Sequence, residues 1–68
     1  MPIFIVLCGD KALKVLPPDK VSFIDDKRLA NFYSSRYAAK NHLKQLDGIP
    51  NDAQIIEFKF NEVNYNGN

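Results

Sequence analysis

The first run of the chain is apolar on both of the faces that a β-strand would present. Residues Ile3–Cys8 are all apolar, many of them β-branched or aromatic, and the run ends at Gly9-Asp10. A short run bounded by a turn signal predicts a buried strand rather than a helix. Successive side chains of a strand point to opposite faces. One face would carry Phe4, Val6 and Cys8, and the other Ile3, Ile5 and Leu7. The apolar side chains on both faces must therefore be shielded from water by other residues.

The length of the chain limits how that cover is supplied. At 68 residues the sequence has room for one domain, and a chain of this size buries roughly 60% of the surface that its unfolded form exposes. An enclosed substrate cavity would compete for the same few apolar side chains. We expect residues 1–63 to form a single domain and residues 64–68 to fray.

Turn residues divide the first half of the chain into strands. Gly9 allows a tight hairpin turn, after which Lys11–Leu16 returns as a second strand that ends at Pro17. Val21–Ile24 is predicted to form a third strand. Asp25 or Asp26 would then cap a turn of helix over residues 27–30.

A helix is predicted from about Ser35 to Asp47. A serine at its start offers a hydroxyl to the unpaired amides of the first turn, and Ala39, Leu43 and Leu46 recur at the spacing of one apolar helix face. Gly48, followed by an apolar residue and a proline, is typical of a helix end.

The last predicted strand covers Gln54–Phe60, where Ile56, Phe58 and Phe60 alternate with charged residues. The element order is β-β-β-α-β. We therefore predict an α+β fold in which one helix packs on one face of a small, largely antiparallel sheet. The order of the strands stays open.

The sequence offers little for catalysis or for a cofactor. One histidine and one cysteine, His42 and Cys8, make a poor metal set or nucleophilic pair. We expect Cys8 to be a small buried hydrophobe and His42 to pack on the sheet at the edge of the helix stripe. Asp25 and Asp26 suit capping better than acid–base chemistry. We expect no catalytic residue, no metal and no cofactor.

The outer face of the predicted helix is the first candidate for a partner. Arg36, Lys40 and Lys44 lie four residues apart, with Tyr37 and Asn41 beside them. Such a face can contact an acidic protein surface or phosphates, and it is also typical of an ordinary solvated helix. The net charge is +1, from nine Lys and Arg against eight Asp and Glu, which argues against a general nucleic-acid binder.

The second candidate is the spare face of the first strand. Ile3, Ile5 and Leu7 must be covered by the segment from Leu29 to Tyr33, by a second copy of the chain, or by a target. The single cysteine and the absence of a signal-peptide pattern around Ile3–Cys8 predict a cytoplasmic protein, and that run is too short to span a bilayer.

The stretch Leu29–Ala39, followed by Leu43 and Leu46, resembles a pattern common in very short phage and prophage reading frames. The resemblance implies a class of accessory proteins, some of which bind and block a host protein, and it assigns no functional residue. The sequence thus predicts a non-catalytic interaction module, with a small nucleic-acid-binding protein and a structural homodimer as alternatives.

Overall fold

A computed structural model describes residues 2–59 and shows the predicted α+β fold. Its elements are the strands β1 (Ile3–Cys8), β2 (Lys11–Leu16), β3 (Lys20–Ile24) and β4 (Gln54–Phe58), a 3₁₀ turn (Lys27–Leu29) and the helix α1 (Arg36–Lys44). The strands form one antiparallel sheet in the order β3-β2-β1-β4. No helix between residues 2 and 59 has the length and apolar character needed to cross a membrane.

The strand boundaries follow the turn residues closely. β1 and β2 have the predicted limits, and Gly9 between them has a φ of +64°, the left-handed conformation that favours glycine. β3 begins one residue earlier than predicted, at Lys20, because Lys20 pairs with Leu16. β4 ends at Phe58. Phe60, the end of the predicted domain and the predicted frayed tail lie outside the described residues.

β1 and β2 pair directly only beside the turn that joins them, and farther along a later segment of the chain lies between the two strands. The two strands pair beside the turn, at Leu7↔Ala12 and Cys8↔Lys11. Farther along β2, the backbone N–H of Asn31 donates to the carbonyl of Leu13 (3.0 Å). The side-chain oxygen of Asn31 accepts from the N–H of Val15 (2.9 Å). The segment Ala30–Tyr33, which we call the crossing segment, is therefore bonded to β2.

The same segment is also bonded to β1. Phe4 and Tyr33 exchange two backbone hydrogen bonds of 2.8 Å each. Ala30, at one end, packs with Ile5 on one face of the sheet. Tyr33, at the other end, packs with Val6 on the opposite face. The crossing segment thus carries the chain through the sheet to α1.

Each face of the sheet has its own hydrophobic cluster. On the helix side, Val6 and Leu13 are buried with Ala39 and Leu46, as the helix stripe predicted. The far side is built on three buried residues, Ile5, Ala12 and Ala30, with Ile56 and Phe58 packed against them. The alternating residues Ile56 and Phe58 of the last strand are therefore half-buried on the side of the sheet away from the helix. Ile55 was not among the residues predicted to be buried in this strand. It points to the opposite face and packs against the hydrophobic cluster on the helix side.

Ile5 has no exposed surface within a single chain, so its predicted role in self-association is wrong. Ala30 packs on this face from within the same chain, so the segment from Leu29 to Tyr33, one of the three sources considered, contributes to shielding it. Ile3 and Leu7 stay half-buried. Of the predicted self-association residues, these two keep surface that a second copy could contact.

The helix is shorter than predicted at its C-terminal end. It stops at Lys44, after which Gln45 donates to the carbonyl of His42 (2.9 Å) and Leu46 to that of Leu43 (3.2 Å). These i to i−3 bonds tighten the last turn and Leu46 is buried beyond it. Gly48 does have a positive φ, +88°. It shapes the loop that follows, and the prediction that it caps the helix is wrong.

The turn after β3 is capped as predicted. Asp26 accepts a hydrogen bond from the N–H of Arg28 (3.0 Å) at the start of the 3₁₀ turn. The Arg28 guanidinium also lies on this carboxylate and lowers its pKa. Asp25 has a different role, because it pairs with Lys11 across the sheet. That contact lowers the pKa of Asp25 and raises the pKa of Lys11.

Candidate functional site: the outer face of the helix

The start of α1 is fixed by a serine, as predicted. The Ser35 hydroxyl accepts a hydrogen bond from the N–H of Ala38 (3.0 Å), while Ser35 itself keeps an extended backbone. This bond satisfies one of the first-turn amides that has no partner inside the helix. Ala39 is fully buried one turn later, and α1 lies against β1 and β4. The rotation of the helix is therefore set by its packed face.

The opposite face carries the predicted partner-binding residues. Tyr37, Lys40, Asn41 and Lys44 stand at positions i, i+3, i+4 and i+7, so they share one stripe of the helix surface. Tyr37 is 74% exposed, and Lys40 and Lys44 are exposed beside it. Asn41 is half-buried. We call these four residues the helix patch.

The helix patch is positively charged and its charges are unpaired. The nine residues of α1 contain no Asp or Glu. Within residues 2–59, neither Lys40 nor Lys44 forms an ion pair, and the Tyr37 hydroxyl has no hydrogen-bond partner. A large amphipathic ring next to two free ammonium groups can pack on a partner and hydrogen-bond to it at the same time.

Arg36 is the remaining residue of the predicted partner-binding set, and its side chain points toward the sheet. Its Nη1 donates to the backbone carbonyl of Ile55 (2.6 Å). The guanidinium carbon also lies 5.2 Å from the centre of the Phe4 ring, within the range of a cation–π contact. Arg36 is exposed, but its charged group is bound to the sheet. It therefore stands beside the helix patch without projecting from it.

His42 lies at the edge of the packed face, where the sequence predicted it. Its Nδ1 is 2.6 Å from the hydroxyl of Tyr33, and both side chains are partly buried. The tautomer of the imidazole sets which of the two groups donates this hydrogen bond. Burial raises the pKa of Tyr33, against a smaller opposing effect of Asn31. The pair ties the helix to the crossing segment, so its evident role is structural.

Cys8 was predicted to be buried, but it is only half-buried in the structure. Its thiol lies 3.5 Å from a carboxylate oxygen of Asp52. Desolvation, with the neighbouring carboxylate, raises the pKa of this thiol, which is the opposite of what a reactive cysteine needs. In the described part of the chain, no three His, Cys, Asp or Glu side chains cluster as a metal site would require.

Sequence reasoning found the helix patch and missed the two contacts of Arg36. Residues 36 and 55 are far apart in sequence, and no spacing rule connects them. Comparisons with known protein families, with curated proteins and with solved structures gave no match.

Proposed function

We propose that this protein is a non-catalytic interaction module whose helix patch binds an acidic surface of a partner protein. The observation that carries the proposal is Tyr37, which is 74% exposed on the same stripe as Lys40 and Lys44, on a helix anchored by its packed face. Tyrosine is enriched in protein interfaces and among the residues that contribute most to binding. A helix held by a packed face presents such a residue with little loss of conformational freedom.

The charges support an acidic protein rather than a nucleic acid as the partner. Two lysines in a chain of net charge +1 would neutralise few phosphates. In contrast, an exposed aromatic ring with two lysines farther along the same stripe matches the composition of a small protein interface with a polar rim. We extend the proposal to the kind of accessory protein that the resemblance to short phage reading frames implies, one that binds and modulates a cytosolic host protein.

The test compares two double variants with the same change in net charge. Lys40→Glu with Lys44→Glu reverses the helix patch, while Lys20→Glu with Lys59→Glu reverses two exposed lysines outside the helix. Tagged parent and both variants are used to capture proteins from a nuclease-treated bacterial lysate. We expect one protein retained by the parent and by the control, and lost with the patch variant. Equal retention by all three chains would refute the proposal.

A third variant separates the aromatic ring from the charges. Tyr37→Ala keeps both lysines and improves the helix propensity of an exposed position, so its fold should be intact. We expect it to weaken capture of the same protein. Titration of DNA and RNA at two salt concentrations identifies the main alternative, because nucleic-acid binding through these lysines would weaken steeply as salt rises.

A further inference from the structure

β4 is an edge strand whose outward backbone groups can be assigned from the hydrogen bonds of β1. Phe4 uses its N–H and C=O to bond Tyr33, on the side of β1 away from β4. Because alternate residues of a strand bond to alternate sides, Ile5 faces β4 and pairs there with Ile56. The N–H and C=O groups of Ile55 and Glu57 therefore point away from β1, toward an edge of the sheet where no further strand lies among residues 2–59.

Arg36 occupies that edge. Its Nη1 donates to the outward carbonyl of Ile55 (2.6 Å), and the Phe4 ring lies under its guanidinium. The first residue of a helix is an unfavourable place for a cation, since the N-terminal end of the helix dipole is positive. The requirements of α1 therefore do not explain an arginine at this position. The contact with β4 does.

We propose that Arg36 blocks the open edge of β4 and so prevents this strand from pairing with β4 of a second copy of the chain. Open strand edges are templates for pairing, and proteins commonly protect them with charged side chains. An arginine that takes up the outward carbonyl and places a guanidinium along the edge obstructs an incoming strand by occupancy and by charge. This inference does not depend on the proposed function.

A second copy fits the unprotected edge in an antiparallel arrangement centred on Ile56. The outward groups of Ile55 would then face those of Glu57 in the other copy, and the reverse, so that both residues exchange backbone hydrogen bonds. Ile56 would lie opposite Ile56, and the two Glu57 side chains would not be directly opposite each other. β4 is also rich in residues that favour strands, namely Ile55, Ile56 and Phe58.

The test removes the blocking side chain and measures the mass of the chain in solution. By sedimentation velocity from micromolar to millimolar concentrations, the parent should remain at the 7.8 kDa of one chain. Arg36→Ala should rise toward twice that mass as the concentration increases. Lys40→Ala, which loses a cation from the same helix without touching β4, should behave as the parent does.

A second substitution asks whether the association uses the β4 edge. Proline at position 57 removes an outward N–H and no hydrogen bond to β1, a location where edge strands tolerate proline. The double variant Arg36→Ala with Glu57→Pro should return to one chain, with its circular dichroism unchanged. A folded Arg36→Ala that stays monomeric, or one whose association survives the proline, would overturn the proposal.

Arg36→Met is the further variant if the alanine chain does not fold. It keeps an unbranched stem and a high helix propensity, but it has neither the positive charge nor a hydrogen-bond donor for the carbonyl of Ile55. Self-association that rises with concentration is then expected, again relieved by Glu57→Pro. A folded methionine variant that remains monomeric throughout would equally overturn the proposal.

Discussion

Shortening Ile5 by one methylene group tests whether the far face of the sheet is closed within a single chain. Ile5 has no exposed surface and packs with Ala12 and Ala30. Removing one buried methylene costs about 0.8 kcal/mol in transfer free energy, and measured Ile→Val changes in cores cost about 0.5–1.5 kcal/mol. A chain of 68 residues at roughly 0.05–0.15 kcal/mol per residue has only about 3–10 kcal/mol to lose.

The expected result is a lower melting temperature for Ile5→Val, by about 4–8 °C for each kcal/mol in a domain of this size. Thermal unfolding followed by circular dichroism measures it. Ile3→Val is the matched control, because Ile3 lies on the same face of the same strand and is only half-buried. It should shift the midpoint less.

Two outcomes would refute the reasoning. An unchanged midpoint for Ile5→Val would mean that this face is loosely packed. A midpoint of the parent that rises with protein concentration would mean that a second copy supplies the cover, since association stabilises the folded state by mass action.

Three further changes probe the turns and caps. Ser35→Ala should cost about 1 kcal/mol in urea unfolding, whereas Ser35→Asp, which can still cap the helix, should cost less. Gly48→Val should destabilise the fold because valine resists the φ of +88°, and Gly48→Asn, which tolerates this conformation, is the control. The folded pKa of Asp26 is lowered by Arg28, so its stabilisation is present above the ordinary aspartate pKa of about 4 and is lost as pH falls through the folded value. Asp26→Asn keeps a capping oxygen and should give a shallower loss of stability in acid; an unchanged acid limb would contradict this assignment.

Local signals in the sequence were sufficient for the strands and for the start of the helix. Gly9 and Pro17 bound β2 because glycine permits the positive φ of the turn and proline lacks the N–H that a strand ladder needs. Ser35 caps α1 through a hydroxyl three residues from its partner amide. These effects act over a few residues. They can be read from the sequence without knowing the fold.

The helix end and the cover of the sheet depend on contacts between distant residues. Leu46 continues the helical spacing, but it reaches the core through a tightened turn after Lys44, which periodicity alone does not distinguish from another turn of helix. The alternating pattern of β4 placed Ile56 and Phe58 on one packed face, where they are half-buried. It could not tell which side of the sheet would hold the helix.

The position of Arg36 shows the same limit at the candidate site. Spacing alone groups it with Lys40 and Lys44 on one face of the helix. Its contacts with Ile55 and Phe4 separate it from them, because the first residue of a helix lies close enough to the sheet for a long side chain to reach it. The helix patch could be predicted from the sequence, and the role of its neighbour could not.

The crossing segment has a consequence for engineering of this chain. Asn31 bonds to β2 and Tyr33 bonds to β1, with a single residue between them. An inserted or deleted residue there would break one of the two attachments or displace α1 from its face of the sheet. The exposed turn at Pro17–Asp19 lies outside both hydrophobic clusters. A reporter or an affinity tag is best placed in that turn, and any design that changes loop length should leave the crossing segment as it is.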